Sequence, residues 1–152
     1  MTTTAGRASV YLRKAKIIVA SESFLGDGEG GSVNNGWIES GDPDLAPETL
    51  GRLVREALNA SESNVPMPDF REPPPNFLKL LATASVKTES RFMQDNRLVT
   101  VTLSGAQISL LPTRNQGRRG FEHIPDAELN ISSTIEEDEL GQIVRQALDL
   151  SS

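Results

Sequence analysis

Acidic side chains stand out in the loops of the first third of the chain. They are Asp27, Glu29, Asp42 and Asp44. Loop carboxylates are usually just solvated, but they can also pair with basic groups on a partner protein, where complementary charge speeds association and selects the partner. We therefore predict that these four carboxylates form a contact surface for a basic protein.

A basic cluster beside an aromatic residue is formed by Arg114, Arg118, Arg119 and Phe121. Guanidinium groups and an aromatic ring together can hold a nucleic-acid strand by charge and by stacking. The simpler interpretation is a solvated loop tip whose arginines balance nearby acidic residues. This loop is the alternative contact surface.

Other residues that could do chemistry have simpler structural explanations. Residues 136–139 are all acidic, and negative charge there stabilises the start of a helix through its dipole. The glycines between Gly26 and Gly36 lack the following helix of a dinucleotide site and the Gly-Lys-Ser/Thr of a phosphate-binding loop, which favours a flexible hairpin or a loop that contacts a partner. His123 has no recognisable nucleophile or oxyanion partner. The sequence therefore predicts no catalytic residue and no enzyme.

Composition narrows the function classes further. The 152 residues are enough for one domain with a real core. A net charge of −6 disfavours nonspecific phosphate binding and suits either solubility or a basic protein partner. Because the chain has no cysteine and a single histidine, we expect neither a metal site nor a cofactor.

The chain also lacks membrane and export signals. No apolar run approaches the roughly 20 residues that span a bilayer. The N-terminal sequence MTTTAGRASVYLRK has no apolar stretch after its basic residues, so it does not read as a secretory signal. We expect a cytoplasmic protein.

The elements that must position these side chains come from a duplicated unit. The segment LGRLVREALNAS begins at Leu50, and LGQIVRQALDLS begins 90 positions later at Leu140. Both segments repeat apolar residues at spacings of three and four, which indicates two amphipathic helices. A spacing this long indicates duplication of a whole unit, since solenoid repeats are shorter.

A second match, with a spacing of 81, aligns the strand-rich segments of the two halves. It pairs Ser9 and Tyr11 with Ser90 and Phe92. We therefore predict an α+β fold in a single domain of two pseudo-repeated units, each an antiparallel β-sheet followed by a helix. Unit one covers about residues 1–62, a Pro-rich linker about 63–76, and unit two about 77–152.

Local patterns predict the individual elements. Residues 8–20 are β-branched and form two short strands or one bent strand, and residues 47–60 form the first Leu-Gly helix. The segment after Phe77 predicts a short helical turn, while residues 90–94 and 97–104 predict strands. The last helix begins near Thr134, with Ser133 or Thr134 as its N-cap.

The repeated Leu-Gly-x-x-Val-Arg-x-Ala-Leu helix closes on Ser and follows a Ser-x-aromatic strand and a Gly-rich hairpin. This pattern, with the run at residues 108–112 and the glycines after it, resembles the CdiI-type immunity proteins of bacterial contact-dependent growth inhibition (CDI) systems. The resemblance covers nearly the whole chain.

The resemblance implies a small cytoplasmic protein that binds the C-terminal toxin domain of its cognate effector and blocks it without chemistry of its own. Such toxins are often nucleases with basic clefts, which suits an acidic inhibitor. Some members of the family resemble Whirly-type proteins, so the alternative function is a Whirly-like single-stranded nucleic-acid-binding protein. No toxin-contacting residue transfers by motif.

Overall fold

An antiparallel sheet of seven strands and four helices makes up the part of the chain that the computed structural model describes, residues 5–26, 31–66, 71 and 74–152. The strands are β1 Ala5–Arg13, β2 Lys16–Phe24, β3 Ser32–Gly41, β4 Asn96–Ser104, β5 Gln107–Asn115, β6 Phe121–His123 and β7 Leu129–Ser132. The helices are α1 Pro47–Asn59, α2 Pro75–Thr83, α3 Glu89–Met93 and α4 Glu137–Leu150. The predicted α+β class is confirmed.

The strands of both halves belong to one sheet. Its order is β3-β2-β1-β4-β5-β6, and β7 also pairs with β5. At its centre β1 and β4 pair antiparallel, from Ala5 opposite Ser104 to Arg13 opposite Asn96. The expectation of a separate sheet in each unit is therefore wrong. Both central strands are largely buried on both faces, so pairing them at the centre covers surfaces that an edge position would expose.

Each half contains a tight β-hairpin. The β1–β2 turn contains Lys14 at φ 50°, and the β4–β5 turn contains Gly105 at φ 60°. The turns lie 91 positions apart, close to the 90 that separate the two Leu-Gly segments. The second match with its spacing of 81 is wrong, because Tyr11 lies in β1 whereas Phe92 lies in α3.

Helices α1 and α4 pack on one face of the sheet. The predicted strand at residues 97–104 is confirmed as part of β4, in which Val99 and Val101 face these helices and Leu98 faces the other side. The predicted first helix is confirmed to within one residue at its C-terminal end. The apolar stripes of both Leu-Gly helices are buried in this core, at Leu50, Leu53, Val54, Ala57, Leu58, Leu140, Val144, Ala147 and Leu148.

Helices α2 and α3 cover part of the opposite face. The predicted helical turn after Phe77 is confirmed as part of α2, whose Leu80 and Leu81 are buried against Ile18 and neighbours. The predicted strand at residues 90–94 is wrong, because α3 occupies that segment. The hydroxyl of Thr88 accepts the Arg91 N–H at 3.2 Å and so caps α3.

The glycine-rich and proline-rich segments are only partly described. Strand β3 begins at Ser32 and pairs with β2, so the second half of the glycine stretch belongs to a hairpin. Residues 27–30 lie outside the described part of the chain, as does Phe70, a candidate anchor of the linker. Helix α2 starts at Pro75, inside the predicted linker, where a proline in the first turn leaves no helical hydrogen bond unmade.

The two Leu-Gly helices cross with their backbones in contact at the repeated glycines. A Cβ built on Gly51 would lie 2.7 Å from the carbonyl carbon of Glu137, and one on Gly141 would lie 2.5 Å from that of Pro47. Each glycine therefore accepts the first turn of the opposite helix. Small residues at such crossings allow a close backbone approach that any side chain would prevent.

We predict that Gly51→Ala and Gly141→Ala each destabilise the protein by about 2 kcal/mol or more, because the new methyl group has no space. The sign of the change in unfolding free energy distinguishes this clash from a helix-propensity effect, since Gly→Ala inside a helix otherwise stabilises by about 1 kcal/mol. Urea unfolding followed by circular dichroism measures the change. Gln142→Ala, at an exposed position of the same helix, is the control and should stay near neutral. A stabilised Gly51→Ala variant would show that the crossing is not this tight.

Candidate functional site

Two repeated arginines hold the segments from which the candidate acidic surface projects. Arg145 of α4 donates to the carbonyl oxygen of Pro43 at 2.7 Å and to that of Leu45. Reciprocally, Arg55 of α1 donates to the carbonyl oxygen of Ser133 at 2.9 Å and to that of Ile135. Each helix thus fixes the segment that leads into the other helix, through charge-assisted hydrogen bonds.

The predicted acidic contact residues fall partly on one of these segments. Asp42 and Asp44 are exposed between β3 and α1, and they flank the carbonyl group of Pro43 that Arg145 binds. Asp27 and Glu29 lie outside the described residues. The structure therefore brings two of the four predicted carboxylates together on a segment whose backbone is held in place.

A second acidic surface lies where the two helices begin. An open groove of about 440 Å³ is lined by Glu48 and Arg55 from α1 and by residues 134–138. We call it the acidic groove. It combines the first turn of α1 with residues 136–138, which are exposed at the start of α4. Glu137 and Asp138 lie in the first turn of α4, the position at which negative charge suits the helix dipole.

The predicted N-cap of α4 is wrong. The cap position is Glu136, and its side chain makes no capping hydrogen bond. Instead of a side-chain cap, Arg55 donates hydrogen bonds to the backbone carbonyl oxygens of Ser133 and Ile135, just before the helix. In addition, the Ser132 hydroxyl accepts the Thr134 N–H at 3.2 Å, so this stretch forms a turn ahead of the helix.

The predicted basic loop is formed by the end of β5, a 3-10 turn at Gly117–Arg119 and the start of β6. Arg114, Arg118 and Arg119 are all exposed. Phe121 is half-buried, and its ring centroid lies 6.2 Å from that of Tyr11 in the second core. A ring used for packing in this way offers less of its face to a nucleic-acid base.

Other titratable groups have structural surroundings. Burial raises the pKa of the Tyr11 phenol well above 10, and the nearby Glu22 charge raises it further. The Glu22 carboxylate itself accepts hydrogen bonds from the hydroxyls of Ser9 and Ser32. His123 is exposed on β6. In residues 5–26, 31–66, 71 and 74–152, no three His, Asp or Glu side chains are grouped to hold a metal ion.

Sequence reasoning missed two features. The roles of Arg55 and Arg145 had a signal, because the same residue recurs at the same place in both helices. The second feature is a basic cleft, which is formed by Arg13, Lys14 and residues 85–88 and 91. No sequence signal marks this cleft, because its parts are distant in the chain. None of the described helices is long and apolar enough to cross a membrane.

The fold and these surfaces define a small α+β protein whose prominent features are charged surfaces at the start of its two Leu-Gly helices and at one end of its sheet. The chain belongs to the CDI immunity protein family, CdiI, whose family model matches residues 6–151. The match takes in both Leu-Gly helices and all seven strands except the first residue of β1.

Two solved structures share the fold. A protein of unknown function from Neisseria meningitidis has a TM-score of 0.83 at 18% sequence identity, covering 97% of this chain and 96% of that one. A CdiA-CT/CdiI toxin and immunity complex from Yersinia pseudotuberculosis has a TM-score of 0.73 at 20% identity, covering 97% of this chain and 98% of the matched chain. A comparison with curated protein sequences gave no significant match.

We predict that Arg145→Ala loosens the segment carrying Asp42 and Asp44. Losing two charge-assisted hydrogen bonds to backbone carbonyls should cost about 1.5–3 kcal/mol or more in unfolding free energy. Hydrogen exchange of residues 42–46 should accelerate more than that of the sheet. Arg52→Ala is the control, since it removes an exposed i,i+4 pair with Glu56 at 3.2 Å, worth about 0.3–0.5 kcal/mol. Equal effects of the two variants would contradict the bracing role.

Proposed function

We propose that this protein binds the cognate C-terminal toxin domain of a CDI effector and neutralises it by covering its active cleft. The observation that carries the proposal is the family match over residues 6–151. The fold shared with an immunity protein in a toxin complex supports it. On this proposal the protein acts in the cytoplasm and is not an enzyme, since occlusion requires only a stable complex.

We further propose that the toxin is a nuclease and that the acidic side of the protein meets its basic cleft. The contact residues are Asp42 and Asp44, with Asp27 and Glu29, and the net charge of −6 provides long-range attraction. The acidic groove adds carboxylates from both helix starts. Because Arg145 binds the Pro43 and Leu45 carbonyls, this part of the surface is organised before binding, which lowers the entropic cost of association.

The alternative is a Whirly-like protein that binds single-stranded nucleic acid through the basic loop. The three exposed arginines Arg114, Arg118 and Arg119 favour it. The negative net charge opposes nucleic-acid binding, which depends on phosphate neutralisation and weakens steeply with salt.

Coexpression with the toxin domain encoded next to this gene tests the proposal. Cells producing the toxin domain should survive only when this protein is present, and the two chains should copurify. The matched control is the same protein with Gly51→Ala, if unfolding shows that variant to be destabilised. Growth arrest despite a folded, soluble protein would reject the immunity function.

We predict that the double variant Asp42→Asn with Asp44→Asn weakens toxin binding, mainly through a slower association rate. Rim charges typically act on association and its salt dependence, so a several-fold to about tenfold loss at low salt is expected, shrinking as salt rises. Stopped-flow or surface plasmon resonance at several salt concentrations measures it.

Two further variants locate the surface. Asp126→Asn with Glu128→Gln removes two exposed carboxylates from the β6–β7 connection and should leave the rate unchanged apart from a small net-charge effect. Arg118→Gln with Arg119→Gln tests the alternative contact loop. A larger loss with the arginine variant than with the Asp42/Asp44 variant would move the interface to the basic loop.

A further inference from the structure

A basic cleft lies at one end of the sheet, between the β1–β2 turn and the segment that joins α2 to α3. Its volume is about 510 Å³, within the range of small-ligand sites. Four of its lining residues are cationic, namely Arg13, Lys14, Lys87 and Arg91. Ser85, Val86 and Thr88 complete the lining, which contains no carboxylate.

Arg13 is the one buried cation of this cleft. It is only 8% exposed, whereas Lys14, Lys87 and Arg91 lie open to solvent around it. One Nη of Arg13 donates to the Arg91 carbonyl oxygen at 3.0 Å, which fixes the guanidinium group. Its Nε is buried with no hydrogen-bond partner. Arg13 is therefore a fixed and largely buried cation in the wall of the cleft, and no carboxylate in the lining balances its charge.

The walls of the cleft are fixed by the fold. Strands β1 and β4 pair up to Arg13 opposite Asn96, and the Asn96 side chain donates to the Phe92 carbonyl oxygen at 2.9 Å. The neighbouring Lys16 donates to the Thr83 carbonyl oxygen at 2.6 Å, which ties β2 to the end of α2. The four cations therefore stand around a bounded space on a chain whose net charge is −6.

We propose that this cleft binds a compact, multiply charged phosphate ligand. A guanidinium group offers a fork of donors that matches phosphate oxygens, and lysines add point charges. The lining carries four positive charges and no negative one. A ligand with a single carboxylate would balance only one of these charges, whereas a diphosphate group carries several negative charges. The site is separate from the acidic surface assigned to the toxin, so it stands or falls independently of the proposed function.

Pyrophosphate is the probe, titrated into the full-length protein at low ionic strength by isothermal calorimetry. We expect saturable binding of one pyrophosphate per chain, weaker binding of inorganic phosphate, and shifts of backbone amide signals at residues 13–14 and 85–91 in NMR spectra. The absence of saturable binding would overturn the proposal.

Substitutions locate the site. Arg13→Gln should lower the pyrophosphate affinity about tenfold or more, and Lys87→Gln and Arg91→Gln each several-fold. The last two change exposed side chains, so they keep the test valid if Arg13→Gln fails to fold. Arg52→Gln removes one exposed cation from α1, on the opposite face of the sheet, and should leave the affinity within twofold. Equal losses in all variants, or none in the cleft variants, would overturn the proposal.

A short single-stranded oligonucleotide distinguishes a free phosphate compound from the phosphates of a nucleic acid. Weaker binding of the oligonucleotide than of pyrophosphate supports a compact ligand. Tighter binding of the oligonucleotide, lost in the Lys87→Gln and Arg91→Gln variants, would overturn the small-ligand proposal and assign the cleft to nucleic acid.

Discussion

The contact between the backbones of α1 and α4 is the constraint on which the rest of the structure depends. Gly51 receives the carbonyl group of Glu137, and Gly141 receives that of Pro47, so neither position tolerates a side chain. This approach places both apolar stripes over the same sheet face. It also brings the first turns of the helices together, which creates the acidic groove. One pair of glycines thus determines both the core and a charged surface.

The two repeated arginines extend this constraint to the surface. Arg55 and Arg145 each cross from one helix to the segment before the other and bind backbone carbonyl oxygens. Because their charge is directed to the backbone, Asp42 and Asp44 remain exposed beside them. Because the backbone that carries these carboxylates is held in place, binding a basic partner through them would cost less entropy than ordering a loose loop.

Periodicity predicted the elements with strong amphipathic patterns and failed where local signals competed. The apolar stripe of α1 and the apolar residues of β4 were sufficient to predict a helix and a strand, because the spacing of apolar residues matches the period of the element that buries them. Residues 90–94 resemble a strand, but the Thr88 cap and the burial of Phe92 make them helical. The second internal match was also wrong. Tyr11 and Phe92 are both aromatic because their rings pack against each other in one core, although Tyr11 lies in a strand and Phe92 in a helix.

The sequence alone determined the α+β class, the two Leu-Gly helices and the acidic character, because these depend on local spacing and composition. The repeat with a spacing of 90 positions also contained the residues that form the helix contact and bind the entry segments, Gly51 and Gly141 with Arg55 and Arg145. Only the tertiary structure decided that the strands of both halves form one sheet, that each helix braces the other's entry segment, and that Arg13 and Arg91 meet in a basic cleft. Those features depend on contacts between residues distant in the chain, and no local pattern records them.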